Sequence, residues 1–275
     1  MSPSRRSTSI STSTDRRAIG IAPARRDAPV RPGRTPTARE RSVMSALQQY
    51  LPALLRGAQV TIVLALLSVA LAVCIGIAGA MAKLSGSRVL VSAATAYTTL
   101  IRGVPEFVMM LLVFYGGQIV LNRLSAAFGL RAPDVDAFAT AVLTIGFIFG
   151  AYYTETFRGA ILGVPRGQME AARAYGFSGW LAFRRILLPQ MARLALPAAL
   201  NNWLVLLKTT AIASLIGLHD VMFISDQAGR TTQAPMTFYL AACAVYLLVT
   251  SGSTACAARA RVRLNRGMRE GRLHG

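Results

Sequence analysis

Four ionisable side chains stand inside or at the edge of stretches that otherwise carry no charge: Arg102, Glu106, Glu155 and Lys208. A charge costs about 2.5–3.5 kcal/mol at the centre of a bilayer, and such a residue is by default a functional candidate. Glu155 has the most specific chemistry. A carboxylate held away from water can replace the hydration that a cation loses on a low-dielectric path. Tyr152, Thr154 and Phe157 lie beside it in sequence. Arg158, three residues on, offers a purely structural ion pair instead, and both readings stay open. Arg102 and Glu106 sit four apart around Gly103 and Pro105, so they can compensate one another or face a pathway. Lys208 lies close enough to a helix end to extend its ammonium to an interface.

Chemistry of other kinds has little to work with. Cys74, Cys243 and Cys256 all fall in apolar runs with no CxxC spacing, which suits small buried side chains better than a disulfide or a metal site. His219 and His274 are too few for a metal cluster. No GxSxG, HExxH or P-loop pattern occurs, so neither hydrolase chemistry nor ATP hydrolysis is expected of this chain. No bound cofactor is expected either.

The elements that must position these charges are set by composition. Of 275 residues, 53% are apolar and only 15% charged, against about 25% charged in a soluble domain, and the mean hydropathy is +0.46. The chain lacks the polar surface to cover a water-facing globule. Its net charge of +19 is gathered at the two ends and in short gaps between apolar runs, unlike the basic face of a nucleic-acid binder. An all-α integral membrane protein is predicted.

A hydrocarbon core of about 30 Å needs roughly 20 apolar residues in helix. Residues 57–82, 137–162 and 236–258 meet that length. Residues 194–216 do so with Lys208 inside. Residues 89–101 and 107–122 flank the hinge Arg102-Gly-Val-Pro-Glu106, and read as one span broken at Gly103 and Pro105. Five spans put the termini on opposite sides. With the C-terminus inside, the inner face collects Lys83, Arg88, the arginines from Arg158 to Arg193 and those from Arg259 to Arg272. The outer face from Met44 onward keeps only Arg56, Arg123, Arg131 and Arg230. That asymmetry predicts N-terminus out and C-terminus in.

Residues 1–43 break the pattern, being Arg-rich in a Ser/Thr/Pro background with no apolar segment. They do not make a secretory signal, and composition predicts a disordered basic extension. Met44 is an alternative start that would remove the conflict. The expected organisation is the extension 1–43, a membrane domain 44–258 and a basic tail 259–275.

The longest inner loop, about 162–189, reads Gly163-Val-Pro-Arg-Gly-Gln-Met-Glu-Ala-Ala-Arg-Ala-Tyr-Gly-Phe-Ser-Gly-Trp-Leu-Ala-Phe-Arg-Arg-Ile-Leu-Leu-Pro189. A short helix over 168–175 with Ala171, Ala172 and Ala174 would let another protein approach its backbone closely. Gly176 can end it, and Pro189 marks the next span. Glu170, Ala171, Ala172 and Gly176 followed by Leu188-Pro189 resemble the EAA loop of bacterial ABC-importer permeases. Thr98-Thr-Leu-Ile-Arg-Gly-Val-Pro-Glu106, Gly150-Ala-Tyr-Tyr-Thr-Glu-Thr-Phe-Arg-Gly-Ala160, Asn201-Asn-Trp-Leu-Val-Leu-Leu-Lys-Thr-Thr-Ala211 and Gly217-Leu-His-Asp-Val221 narrow the resemblance to polar amino-acid permeases of the HisM/HisQ family. It covers about 44–256.

That resemblance implies a type I ABC-importer permease fold with five transmembrane helices, in a bacterial inner membrane, with the N-terminus periplasmic and the C-terminus cytoplasmic. It implies a HisM-like second permease or a second copy of this chain, two ATPase subunits that use ATP, and a periplasmic amino-acid-binding protein. The remaining contacts would be with membrane lipid, and none with nucleic acid. The implied cargo is an amino acid, most simply a basic one: histidine, lysine, arginine or ornithine. Another polar amino acid or an opine is the alternative within the class; an ion-coupled secondary carrier is the alternative outside it. On this reading Asn201, Thr209 and Ser214 are candidates to bond the α-groups of the cargo, on a path with Glu155, Arg102, Glu106 and Tyr152.

Overall fold

The computed structural model describes residues 38–265 apart from 130, 132 and 133, with side chains described from 45 to 262. The regular elements among the described residues are all helical. Residues 1–37 and 266–275, which include most of the basic extension and the end of the tail, lie outside them. Helix α1 (Ala38–Lys83) begins six residues before Met44, and α10 (Pro235–Asn265) runs on past 258.

Among the described residues five stretches are long and apolar enough to cross a membrane: Ser45–Lys83, Glu106–Ala127, Ala137–Leu162, Gly179–Ile216 and Pro235–Val262. The predicted number holds, but the second span is built differently from the prediction. Val104 and Pro105 are both extended, with ψ near 134°, because a residue before proline is pushed out of the helical region. The break separates α2 (Arg88–Gly103) from α3 (Glu106–Leu111). The second span then consists of α3, a π-helical turn Leu112–Gly116 and α4 (Gly117–Ala127). Helix α2 packs across α1 and α5 instead: Tyr97 donates to the Phe147 carbonyl at 2.5 Å, and Thr98 accepts from Lys83 at 2.7 Å.

Helix α5 (Ala137–Leu162) is the centre of the bundle, with Ile145, Ile148 and Phe149 almost wholly buried. Lipid tails are as apolar as side chains, so membrane helices associate through close packing rather than hydrophobic exclusion. Here α1 and α5 interlock through small residues. Gly76 faces the backbone of Tyr153, Gly79 faces Thr154, and Gly146 receives Leu71. Leu64, Ala65 and Ala72 complete the buried face of α1.

After α5, helix α6 (Arg166–Ala174) forms the predicted loop helix, ending one residue earlier than expected. Helix α7 (Gly179–Ala182), a π turn Phe183–Leu187 and α8 (Leu188–Thr209) run on as one rod. Pro189 therefore sits inside a continuous helix rather than at the entrance to one. The π turn just before it accommodates the carbonyls that its missing N–H cannot satisfy. The rod finishes in 3₁₀ geometry over Thr210–Ile216 and turns at Gly217, whose φ of 83° needs glycine. Helix α9 (Val221–Thr231) then wedges between α1 and α10. There Val221, Phe238 and Leu54 form a second buried cluster.

Candidate functional site

Glu155 and Lys83 face one another. The Lys83 ammonium donates to Glu155 Oε1 and to Thr98 Oγ1, so one side chain ties α1, α2 and α5 together. Arg158 stands on the other carboxylate oxygen, Oε2, at 3.6 Å, too far for a hydrogen bond. Glu155 is thus held by a residue that sequence spacing did not single out. Lys83 is seventy-two positions away in the chain, and its one signal was an isolated basic residue closing an apolar run. The Arg158 pair was foreseen and is present, but it is the looser of the two.

A second group forms one turn earlier on α5. The Arg102 guanidinium lies over the Tyr152 ring, 5.2 Å from its centroid, a cation–π arrangement. The Glu106 carboxylate lies against the same tyrosine and interacts with its hydroxyl. Among the described residues no ion pair joins Arg102 to Glu106. The extended backbone at 104–105 spoils their i,i+4 spacing, and Tyr152 stands between them as the common contact. Arg102 and Glu106 are both at least partly accessible.

The remaining path candidates behave differently. Thr209 gives its hydroxyl to the Val205 carbonyl at 3.1 Å, and Ser214 gives its own to Ala211 at 2.7 Å. Both hydroxyl protons are thereby engaged on the preceding turn. Asn201 is exposed; its neighbour Asn202 donates to Thr156 Oγ1 at 2.9 Å and so joins α8 to α5 beside Glu155. Tyr153 adds a bond to the Ala199 carbonyl at 3.0 Å. Asn202 and Thr156 escaped the sequence reading because they lie forty-six positions apart in the chain and meet only when α8 packs on α5.

The loop residues form a separate surface at the end of the bundle where α5 stops and α7 starts. Phe177 N–H bonds to Ala172 O at 3.0 Å and Gly176 N–H to Arg173 O at 2.9 Å, with Gly176 at φ 76°. This is the paired closure of a Schellman motif, and Gly176 ends α6 as its position suggested. Ala172 is buried while Glu170, Ala171 and Gly176 face outward, flanked by exposed Tyr175 and Trp180. Leu188 is partly exposed and Pro189 half-buried. Between α5 and α6 a groove of about 300 Å³ is lined by Leu162, Val164, Met169, Glu170 and Leu187. No group of three His, Cys, Asp or Glu side chains among the described residues could hold a metal.

Residues 72–263 match the family described as binding-protein-dependent transport system inner membrane component. The chain belongs to this family. It is a multi-pass inner-membrane transport component, a conduit rather than an enzyme. The histidine/lysine/arginine/ornithine transport system permease protein HisQ of Salmonella typhimurium is 51% identical over 200 residues, 73% of this chain and 88% of that protein. The octopine transport system permease protein OccQ of Rhizobium radiobacter is 38% identical over 219 residues, 79% and 92% of the two chains. Among solved structures, an amino acid ABC transporter with histidines matches at TM-score 0.68 and 29% identity, over 80% of this chain and 97% of that one. The MetNI methionine ABC transporter, at TM-score 0.61 and 17% identity over 79% of this chain and 99% of that one, shares the fold. The type I permease fold follows from both.

Proposed function

We propose that this chain is the membrane-spanning permease subunit of an ATP-driven importer of basic amino acids, with its N-terminus outside and its C-terminus inside. The observation that carries the reading is the similarity to HisQ across nearly the whole membrane portion. The geometry supports this reading at Glu155 and Tyr152. Glu155 Oε1 is occupied by Lys83, but Oε2 has only Arg158 at 3.6 Å and keeps acceptor capacity for a guanidinium or an ammonium. The Tyr152 ring, already beneath Arg102, is a second surface that suits a planar cation.

The sequence argument for a basic cargo rested on the resemblance and on Glu155 and Glu106 both lying on the path, with Arg158 and Arg102 left open as their partners. Lys83 and Arg102 beside Glu155 and Glu106 change it: charge at the site is nearly balanced, so a free acceptor oxygen, not surplus negative charge, supports the reading. The partners are a second permease subunit, two ATPases docked on the surface of Glu170, Ala171, Ala172 and Gly176 with Leu188 and Pro189 behind it, and an external binding protein. The test is uptake by the assembled complex in proteoliposomes with its binding protein and ATP. Arginine, lysine, histidine, glutamine and octopine would be compared. Saturable, ATP-dependent uptake of arginine and lysine is expected. Uptake of glutamine or octopine with no basic amino acid would refute it.

A further inference from the structure

At the end of the bundle opposite α6, an open groove of about 580 Å³ lies between α1, the start of α5 and the turn after Gly217. It belongs to neither group described above. Its polar lining is Arg56, Gln59, Asp136 and His219; the rest is apolar and includes Phe138 and Leu218. Opposite charges therefore share one groove, yet no ion pair among the described residues joins Arg56 to Asp136 or to another carboxylate. Asp136 uses Oδ2 to cap α5, accepting from the Ala139 N–H at 2.6 Å, which leaves Oδ1 to the groove.

Two features identify the occupant class. The first is depth. Helix α1 runs unbroken from Arg56 to Lys83, about 40 Å at 1.5 Å per residue, which is the thickness of a bilayer including its headgroups. If Lys83 ends the crossing at one interface, Arg56 stands at headgroup level on the other. The second is what continues below. Val63, which lines the groove, starts a stripe with Leu67 and Ala70 on the same face of α1; Val63 and Leu67 are each 47% exposed, and Ala70 is exposed as well. A charged head site opening onto an apolar track at membrane depth has the shape of a phospholipid, not of a free amino acid.

We infer that this groove binds one phospholipid whose headgroup carries both a phosphate and a primary ammonium. Arg56 takes the phosphate in bidentate fashion, with Gln59 beside it. Asp136 Oδ1 accepts from the ammonium, and the acyl chains follow the Val63–Leu67–Ala70 stripe. A primary ammonium has three N–H donors; a choline headgroup of equal charge has none, so the site distinguishes the two.

The assembled complex, delipidated and then incubated with mixed micelles holding equal phosphatidylethanolamine and phosphatidylcholine of matched chains, would be weighed intact by native mass spectrometry. The wild-type complex is expected to retain one ethanolamine lipid per copy of this chain, with about tenfold preference, the effect of one charge-assisted hydrogen bond. Arg56→Gln should lose that lipid. Asp136→Asn still caps α5 and should keep a lipid but lose the preference. ATP-driven uptake by both variants verifies that they fold and assemble, and the ratio on the unaltered complex stands as a test even if a variant does not assemble. Equal retention of the two lipids by the wild-type complex overturns the proposal. So does a lipid count unchanged in Arg56→Gln, or displacement of the lipid by millimolar arginine or lysine.

Discussion

Lys83 closes α1 by donating to Glu155, about two turns before the end of α5, and that bond holds the side chain of Lys83 to 8% exposure. A lone ammonium in such a place would be costly to desolvate, and a carboxylate in direct contact offsets the cost. The pair also fixes α2, because the same ammonium bonds Thr98. Any cation that seeks Glu155 arrives at a carboxylate already committed on one oxygen, and must bind the other or displace the lysine.

Removing one partner therefore differs from removing both. Glu155→Gln leaves a buried ammonium uncompensated and should cost about 3–5 kcal/mol of stability. Lys83→Met combined with Glu155→Gln should recover most of that loss, as a double-mutant cycle on thermal unfolding would show. If the carboxylate also receives cargo, the stable double variant should still take up arginine and lysine ten- to a hundredfold more slowly. Uptake of histidine at pH 8, where its side chain is neutral, should fall much less. Equal losses for all three amino acids would restrict Glu155 to a structural role.

The α1–α5 seam makes a second prediction. A Cβ on Gly76 would lie 2.5 Å from Tyr153 Cβ and 3.0 Å from its backbone carbon, where no side-chain rotation gives relief. Gly76→Val should thus destabilise the bundle by about 1–3 kcal/mol, the range of core overpacking. Gly103→Val on α2, where an added Cβ meets nothing within 4 Å, is the control and should change stability far less. Equal melting temperatures for the two variants would argue against the close seam.

Much of this was legible from residue order alone. The five spans follow from hydropathy because a long, continuously apolar segment can satisfy its own backbone in lipid only as a helix. The α6 loop was readable because its small residues and Gly176 are local signals, whereas Pro189, read as the entrance to the next span, lies inside a continuous rod. Part of what escaped depends on distance in the chain. Lys83 looked like an inner-face charge under the positive-inside pattern, and only packing of α1 on α5 turns it toward Glu155. Arg102 and Glu106 suggested an i,i+4 pair, but Pro105 breaks the helix that would have aligned them and Tyr152 takes both. Thr209 and Ser214 looked available, yet hydroxyls within a helix satisfy themselves on the preceding turn.

Gly176 tests whether the end of α6 matters through its backbone or its surface. At φ 76° most side chains are strained by about 1–2 kcal/mol, while an added Cβ would meet open space. Asparagine tolerates this conformation better than valine does. If only the α6 backbone matters, Gly176→Asn should retain ATP-driven uptake and Gly176→Val should lose it with the chain still inserted. If the ATPase lies directly on the glycine, both variants should uncouple, and Gly176→Asp should abolish uptake as well. Normal transport by the valine and aspartate variants would remove this loop from the ATPase contact.

Asp220 gives the bundle a pH dependence of predictable sign. It lies between the fourth and fifth spans and is fully buried; Oδ1 caps α9 through the Phe223 N–H at 2.8 Å, and Oδ2 has no hydrogen-bond partner among the described residues. Burial pushes its carboxyl up from 3.8 to about 6, with the backbone N–H groups of Phe223 and Met222 opposing. A carboxyl whose folded value is raised binds its proton more tightly when folded. Its contribution to stability is therefore complete below about pH 4 and disappears as pH rises through 4 to 6. Asp220→Asn keeps the cap and carries no titrating proton. Between pH 4 and 7 the wild-type complex should lose up to about 3 kcal/mol relative to this variant. Denaturant unfolding of both complexes in detergent at one-unit intervals measures the difference. Parallel stability curves would show that Asp220 stays ionised in the fold, with Oδ2 hydrated.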